Sequence, residues 1–211
     1  MNTEWYRKKS WTASDQEEFY NKLSRARKDN RAQYLKIQAI ELMQTGKSGL
    51  LDVAEDLLNQ LLAEYPDDEF NKSAYLHTLG KIYQLRKDSE TALKYYHQAV
   101  DFEKVYPQVK TGVDIDFSEL VFKLEKTQHF ELAQQLMETR IEGAVFPIEK
   151  HRASLILANI HKSKGEQIGF ERYEKLAEES AAQKTSGLRH HPDLGLVKKK
   201  DSWWDRIFRK K

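Results

Sequence analysis

The sequence contains no cysteine. That excludes a disulfide framework, a thiolate metal site and a thiol nucleophile. Glycine and proline are scarce, nine and four in 211 residues, while Ala, Leu, Glu, Lys and Gln are abundant. Long helices are the expected outcome of that bias. No stretch approaches the roughly 18 consecutive apolar residues of a membrane span, and residues 1–11 lack the apolar run of a signal peptide. A cytoplasmic location is expected.

The chain also lacks an overall charge of one sign, since its net charge is only +2. The balance hides a polarity: residues 1–36 carry +4, residues 184–211 carry +6 and the stretch between them carries −8. A uniformly basic nucleic-acid binder would look different. Two basic ends on an acidic body are the simplest reading.

Catalytic signatures are missing too. Gly46-Lys47-Ser48 looks like the end of a phosphate loop, but that motif needs a glycine five residues before Gly46, where Glu41 stands, and a strand ahead of it. A turn between helices explains Gly46 and Gly49 equally well. The seven histidines (His77, His97, His129, His151, His161, His190 and His191) are scattered, and none pairs with another or with a carboxylate at metal-binding helical spacing except by chance. No nucleophile elbow and no dinucleotide fingerprint occur. Neither an enzyme nor a metal or cofactor site is expected.

What the chain does contain is a repeat. Pro66, Pro107 and Pro147 lie 41 and 40 residues apart, each between helix-like stretches. Periods of roughly 34 to 47 residues point to helical solenoids. The clearest unit runs from Ser73 to about Tyr106: Leu76, Leu79, Gly80 and Tyr83 recur at helical spacing, a polar turn follows at 86–88, and Ala92, Tyr96 and Ala99 mark a second helix. Gly80 and Ala92 allow two antiparallel helices to approach closely, and Tyr83 and Tyr96 fill the space beside them. These residues at these spacings resemble the tetratricopeptide repeat (TPR), with Leu76 where that family usually has Trp.

Using this unit as a ruler, the small residue opening the second helix recurs at Ala54, Ala92, Ala133 and Gly169. The resemblance therefore implies an all-α helical-repeat solenoid of about four degenerate TPR-like helix pairs over residues 32–182. The first pair is expected to hold about three extra turn residues near Gly46 to Gly49, and the third has Arg140 where a small residue is usual. The fourth fits only if its turn gains or loses one residue. Residues 1–31 are expected to form a basic segment and a helix capped by Ser14 with Glu17, carrying Phe19, Leu23 and Ala26 against the first pair. Residues 183–211 read as an extended connector followed by a basic, Trp-containing tail. The layout is similar to that of small bacterial TPR proteins.

TPR arrays take a partner's peptide or helix in a groove lined by the first helices of the pairs. The groove positions that the resemblance implies are Gln33, Lys36, Ile37, Ile40 and Met43 in the first pair, and His77, Thr78, Lys81, Gln84 and Leu85 in the second. They continue as Ile115, Ser118, Glu119, Phe122 and Glu125 in the third, and as Arg152, Leu155, Ile156 and Asn159 in the fourth. TPR clamps for acidic chaperone tails use cations and an Asn where Ile40, Ile115 and Glu119 stand, so an apolar peptide or helix is the expected ligand. A protein-interaction scaffold or adaptor, acting as a chaperone or inhibitor of a specific partner, is the implied function.

Two other classes stay open. Nucleic acid could bind the basic ends, where Trp5, Tyr6 and Trp11 interleave with Arg7, Lys8 and Lys9. A membrane-peripheral scaffold could be held by the tail, in which Trp203, Trp204, Ile207 and Phe208 share one helical face among cations. That tail could equally cap the last pair or enter a partner's groove. The sequence does not indicate the oligomeric state.

Overall fold

The computed structural model describes residues 4–198, which are helical and contain no strand. In chain order the helices are α1 (Ala13–Arg25), α2 (Lys28–Gln44), α3 (Ser48–Glu64), α4 (Lys72–Leu85), α5 (Ser89–Val105), α6 (Val113–Lys123), α7 (Phe130–Gly143), α8 (Pro147–Ser163) and α9 (Gln167–Ala181). A 3-10 turn, Thr127–His129, precedes α7. The chain divides into two compact units, Met1–Val113 and Asp114–Lys211.

In the first unit, α2 packs on α3 and α4 on α5, while α4 also touches both α2 and α3. Leu35, Ala39 and Leu42 of α2 meet Leu51, Ala54, Leu58 and Leu61 of α3 and Leu79 and Ile82 of α4 in one buried cluster. Each fully buried Leu contributes about 1.5–3 kcal/mol before chain entropy is counted. Phe19 and Leu23 of α1 belong to the same cluster. Phe19 and Leu23 thus join α1 to that cluster, as its apolar spacing predicts, whereas Ala26 caps the end of α1 and is not part of it.

Its cap differs from expectation. Thr12, not Ser14, is the N-cap: the Asp15 backbone N–H donates to Thr12 Oγ1 at 3.2 Å and the Thr12 N–H donates back to Asp15 Oδ2 at 2.9 Å. The short Asp side chain at the third helical position closes the box that Glu17 would otherwise have closed, and the helix starts earlier.

In the second unit α8 packs on both α7 and α9. Its core includes Leu120, Val121, Phe130, Ala133, Met137, Leu157, Ile160 and Tyr173, all buried. Arg140, the departure from a small residue, is explained by its partners. It donates to both carboxylate oxygens of Asp114 at 2.7 and 2.5 Å and to Glu149 at 3.3 Å, so α6, α7 and α8 share one cation.

The turns between α2 and α3, α4 and α5, and α8 and α9 each span three residues, with one in the left-handed region. Those residues are Gly46 (φ 66°), Lys87 (φ 65°) and Gly165 (φ 73°), and Glu125 (φ 53°) takes the same place after α6. After α4, α6 and α8 the turn closes with the paired bonds of a Schellman motif: Asp88 N–H to Tyr83 O, Lys126 N–H to Val121 O and Glu166 N–H to His161 O, with the left-handed residue bonding to the position between.

This geometry corrects the residue ruler. The first turn holds no extra residues, so by count Leu51 takes Ala92's place and Ala54 lies one helical turn later. The extra residues belong to the third pair, as the 3-10 turn. In the fourth pair the turn neither gains nor loses a residue, which aligns His161 with Tyr83 and Tyr173 with Tyr95. Both pairs stack, at 5.3 and 5.4 Å between ring centroids. Pro147 also departs from its counterparts: it opens α8, whereas Pro66 and Pro107 follow α3 and α5.

The expected extended connector instead folds back within the second unit. The Ser186 N–H donates to Pro192 O at 2.7 Å, and the Ile148 N–H donates to Gly195 O at 2.9 Å. Gly195 lies so close to Phe146 that an added Cβ would stand 2.5 Å from its side chain. The segment is a strap fastened at the start of α8.

Candidate partner-binding site

The positions singled out on α2 and α4 lie beside the stripes that build the core. Gln33 is exposed, Lys36, Ile37 and Ile40 are half-buried and Met43 is buried on α2. On α4, His77 and Thr78 are buried, Lys81 is half-buried, and Gln84 and Leu85 are exposed. Because α4 touches α2, the half-buried isoleucines, Lys81 and Leu85 stand on neighbouring helices of one unit.

Several of these side chains already have work within the fold. The Thr78 hydroxyl donates to Ala74 O at 2.7 Å, and Gln84 Oε1 accepts from the Tyr96 hydroxyl at 2.9 Å. The His77 ring meets Tyr96 edge-on at 5.6 Å.

Lys36 belongs to a polar chain that sequence reading missed. Its Nζ donates to Asn71 Oδ1 at 2.5 Å, Asn71 Nδ2 donates to the Asp68 carboxylate at 3.0 and 3.1 Å, and Asp68 accepts from the Tyr75 hydroxyl. Burial lowers the Lys36 pKa, with Asp68 opposing. Burial and the bond to Asp68 both raise that of Tyr75. Asp68 and Asn71 sit in the loop between α3 and α4, where turn composition alone gave no sign that they would meet a helix lysine.

In the second unit, Ile115, Ser118 and Glu119 of α6 and Leu155 and Ile156 of α8 are buried, while Phe122, Arg152 and Asn159 are half-buried and Glu125 is exposed. The Ser118 hydroxyl donates to Asp114 O and the Asn159 amide to Leu155 O, both at 2.7 Å. Arg152 donates to Glu119 Oε1 at 3.0 and 2.7 Å. Burial pushes the Glu119 carboxyl up and Arg152 pulls it down. An ion pair therefore stands where sequence reading had a lone acid facing the ligand, and Glu125 is spent on the left-handed turn.

The N-terminal cations and aromatics are also engaged. Trp5 lies 5.3 Å from Phe19 and 4.9 Å from Tyr34, and Trp11 lies 5.3 Å from Phe19. Lys8 Nζ reaches Asp15 at 2.9 Å and Glu18 at 2.5 Å, and Arg7 reaches Glu41 at 2.8 Å. These rings pack onto the first unit's core, a different use from the base-stacking that their interleaving with cations had suggested.

Trp203, Trp204, Ile207 and Phe208 lie outside the described residues. No helix among the described residues is long and apolar enough to cross a membrane. Set beside known proteins, the chain matches no family model, no curated protein and no solved structure.

Proposed function

We propose that the chain is a protein-interaction scaffold built of TPR-like helix pairs, without catalytic activity, which holds a segment of another protein against the first helices of its pairs. The observation that supports this reading is the left-handed residue that recurs after α2, α4, α6 and α8, at 46, 87, 125 and 165, and that leads directly into the next helix after α2, α4 and α8. A recurring join of this kind suits helix pairs with equivalent first helices, and such faces suit an extended peptide or a helix. On α2 and α4 that face is mixed, with Ile37, Ile40, Met43 and Leu85 among polar groups and no cluster of cations, which fits an apolar segment better than an acidic tail. An adaptor, or a chaperone or inhibitor dedicated to one cytoplasmic partner, is the role this suits.

Photo-crosslinking in cells provides the test. A benzophenone amino acid placed at Gln33 or at Lys81 is expected to capture the same discrete protein, and one at Lys94 on α5 is not. The purified partner should then bind at least tenfold more weakly to Ile40→Asp, with the helical circular-dichroism spectrum of the variant retained at the assay temperature. Adducts equal at all three positions, or binding indifferent to Ile40→Asp, would overturn the proposal.

A further inference from the structure

The second unit contains a cavity of about 380 Å³ between α8 and α9, whose lining takes in Leu155 and Asn159 of the implied groove positions. Its floor is apolar, made by Leu155, Ala158, Phe170 and Ala177. Its rim is charged, with Lys162 on α8 and Glu174 and Glu178 on α9. The volume is at the small end of the roughly 300–1,000 Å³ of ligand pockets, room for one large aromatic side chain with a neighbour rather than for a folded element.

We infer that this cavity is the seat of the chain's own residues 199–211, anchored by Trp203 or Trp204. Three observations converge on that occupant. Its sequence supplies large apolar side chains, Trp203, Trp204, Ile207 and Phe208, with six cations against two acids. The α9 rim is acidic at Glu174 and Glu178, opposite in charge to the tail. Finally, the strap delivers the chain to the right place: Gly195 is fastened to Ile148 and Phe146, one helical turn from His151 at the cavity's edge.

Reach is sufficient. Counted from the fastened Gly195, the eight or nine residues to Trp203 and Trp204 span up to about 30 Å when extended. From Ile148 to Lys162, along the α8 side of the cavity, a helix rises about 21 Å. Either tryptophan can therefore enter anywhere along it. The partner positions on α2 and α4, in the first unit, take no part in this seat.

The absence of cysteine makes a direct test simple. Ala181→Cys, at an exposed position on the rim, is combined in the full-length chain with Ser202→Cys, and the pair is oxidised at low protein concentration. An intramolecular disulfide is expected to form at least tenfold faster than in a control pairing Ser202→Cys with Lys175→Cys. Glu174→Lys with Glu178→Lys should slow it at least fivefold at low salt. As a second measurement, Trp203→Ser with Trp204→Ser should speed amide exchange over residues 174–181. Equal rates for the two cysteine pairs, or a disulfide that forms only between molecules and grows with concentration, would overturn the inference. So would amide exchange unaffected by loss of both tryptophans.

Discussion

Gly80 on α4 lies directly under the ring of Tyr96 on α5, so close that a Cβ on Gly80 would stand 2.3 Å from two ring carbons. Tyr96 is fully buried and tethered to Gln84, and so cannot swing aside. Gly80→Ala should therefore destabilise the protein by about 1–3 kcal/mol, although Ala is the better helix former by about 1 kcal/mol. Gly49→Ala, with nothing within 4 Å, is the control and should be neutral or stabilising. Thermal melts of the two variants decide it. Equal melting temperatures would mean that α4 and α5 are less tightly joined than described.

At Lys87 and Glu125 a non-glycine residue holds a left-handed backbone. Lys87→Gly and Glu125→Gly should each stabilise by about 0.5–1 kcal/mol, the relief of Cβ strain outweighing the added freedom of the unfolded chain. The reverse change, Gly165→Val, should destabilise. Denaturant midpoints would report all three.

Tyr83 donates its hydroxyl to Glu55, and that bond, followed by burial, pushes its phenol up to about 12. An unfolded tyrosine ionises near pH 10. A raised folded pKa means that the stabilisation is complete below about pH 10 and is lost as pH rises through about 12. Spectrophotometric titration of the wild type against Tyr83→Phe should give a difference step near pH 12. A step near pH 10 would show that Glu55 and Tyr83 are not bonded in solution.

Ala92 is fully buried at the start of α5, whereas Lys81 is half-buried on α4. Ala92→Arg should cost on the order of 3–5 kcal/mol by burying a charge, and Lys81→Ala should stay within about 0.5 kcal/mol. Similar losses in chemical denaturation would contradict this difference in burial.

The second pair was legible in sequence because its contacts rest on residue identity: Gly80 can only be small, and Tyr96 must then be large. The other turns were misplaced because what recurs there is a backbone conformation. Gly46, Lys87, Glu125 and Gly165 share φ but not chemistry, so counting small side chains shifted the ruler by three residues in the first pair and by one in the fourth. Groove residues were harder still. A helical wheel marks Lys36 and Glu119 as off the core stripe, but their occupation by Asn71 and Arg152 depends on a loop and on a later helix that no local pattern connects to them.

Gln38, fully buried on α2, donates its side-chain amide to Lys8 O at 2.7 Å and accepts the Lys8 N–H at 3.0 Å. One side chain thus takes the place of a neighbouring β-strand for a single residue of the N-terminal segment, with Trp5 and Trp11 packed on either side of that clasp. Segments outside helices and sheets ordinarily open locally, exchanging their amide hydrogens quickly and offering proteases an easy start. Here the Lys8 amide should exchange only when the first unit opens as a whole, so the segment will resist nicking for as long as the core beneath it holds.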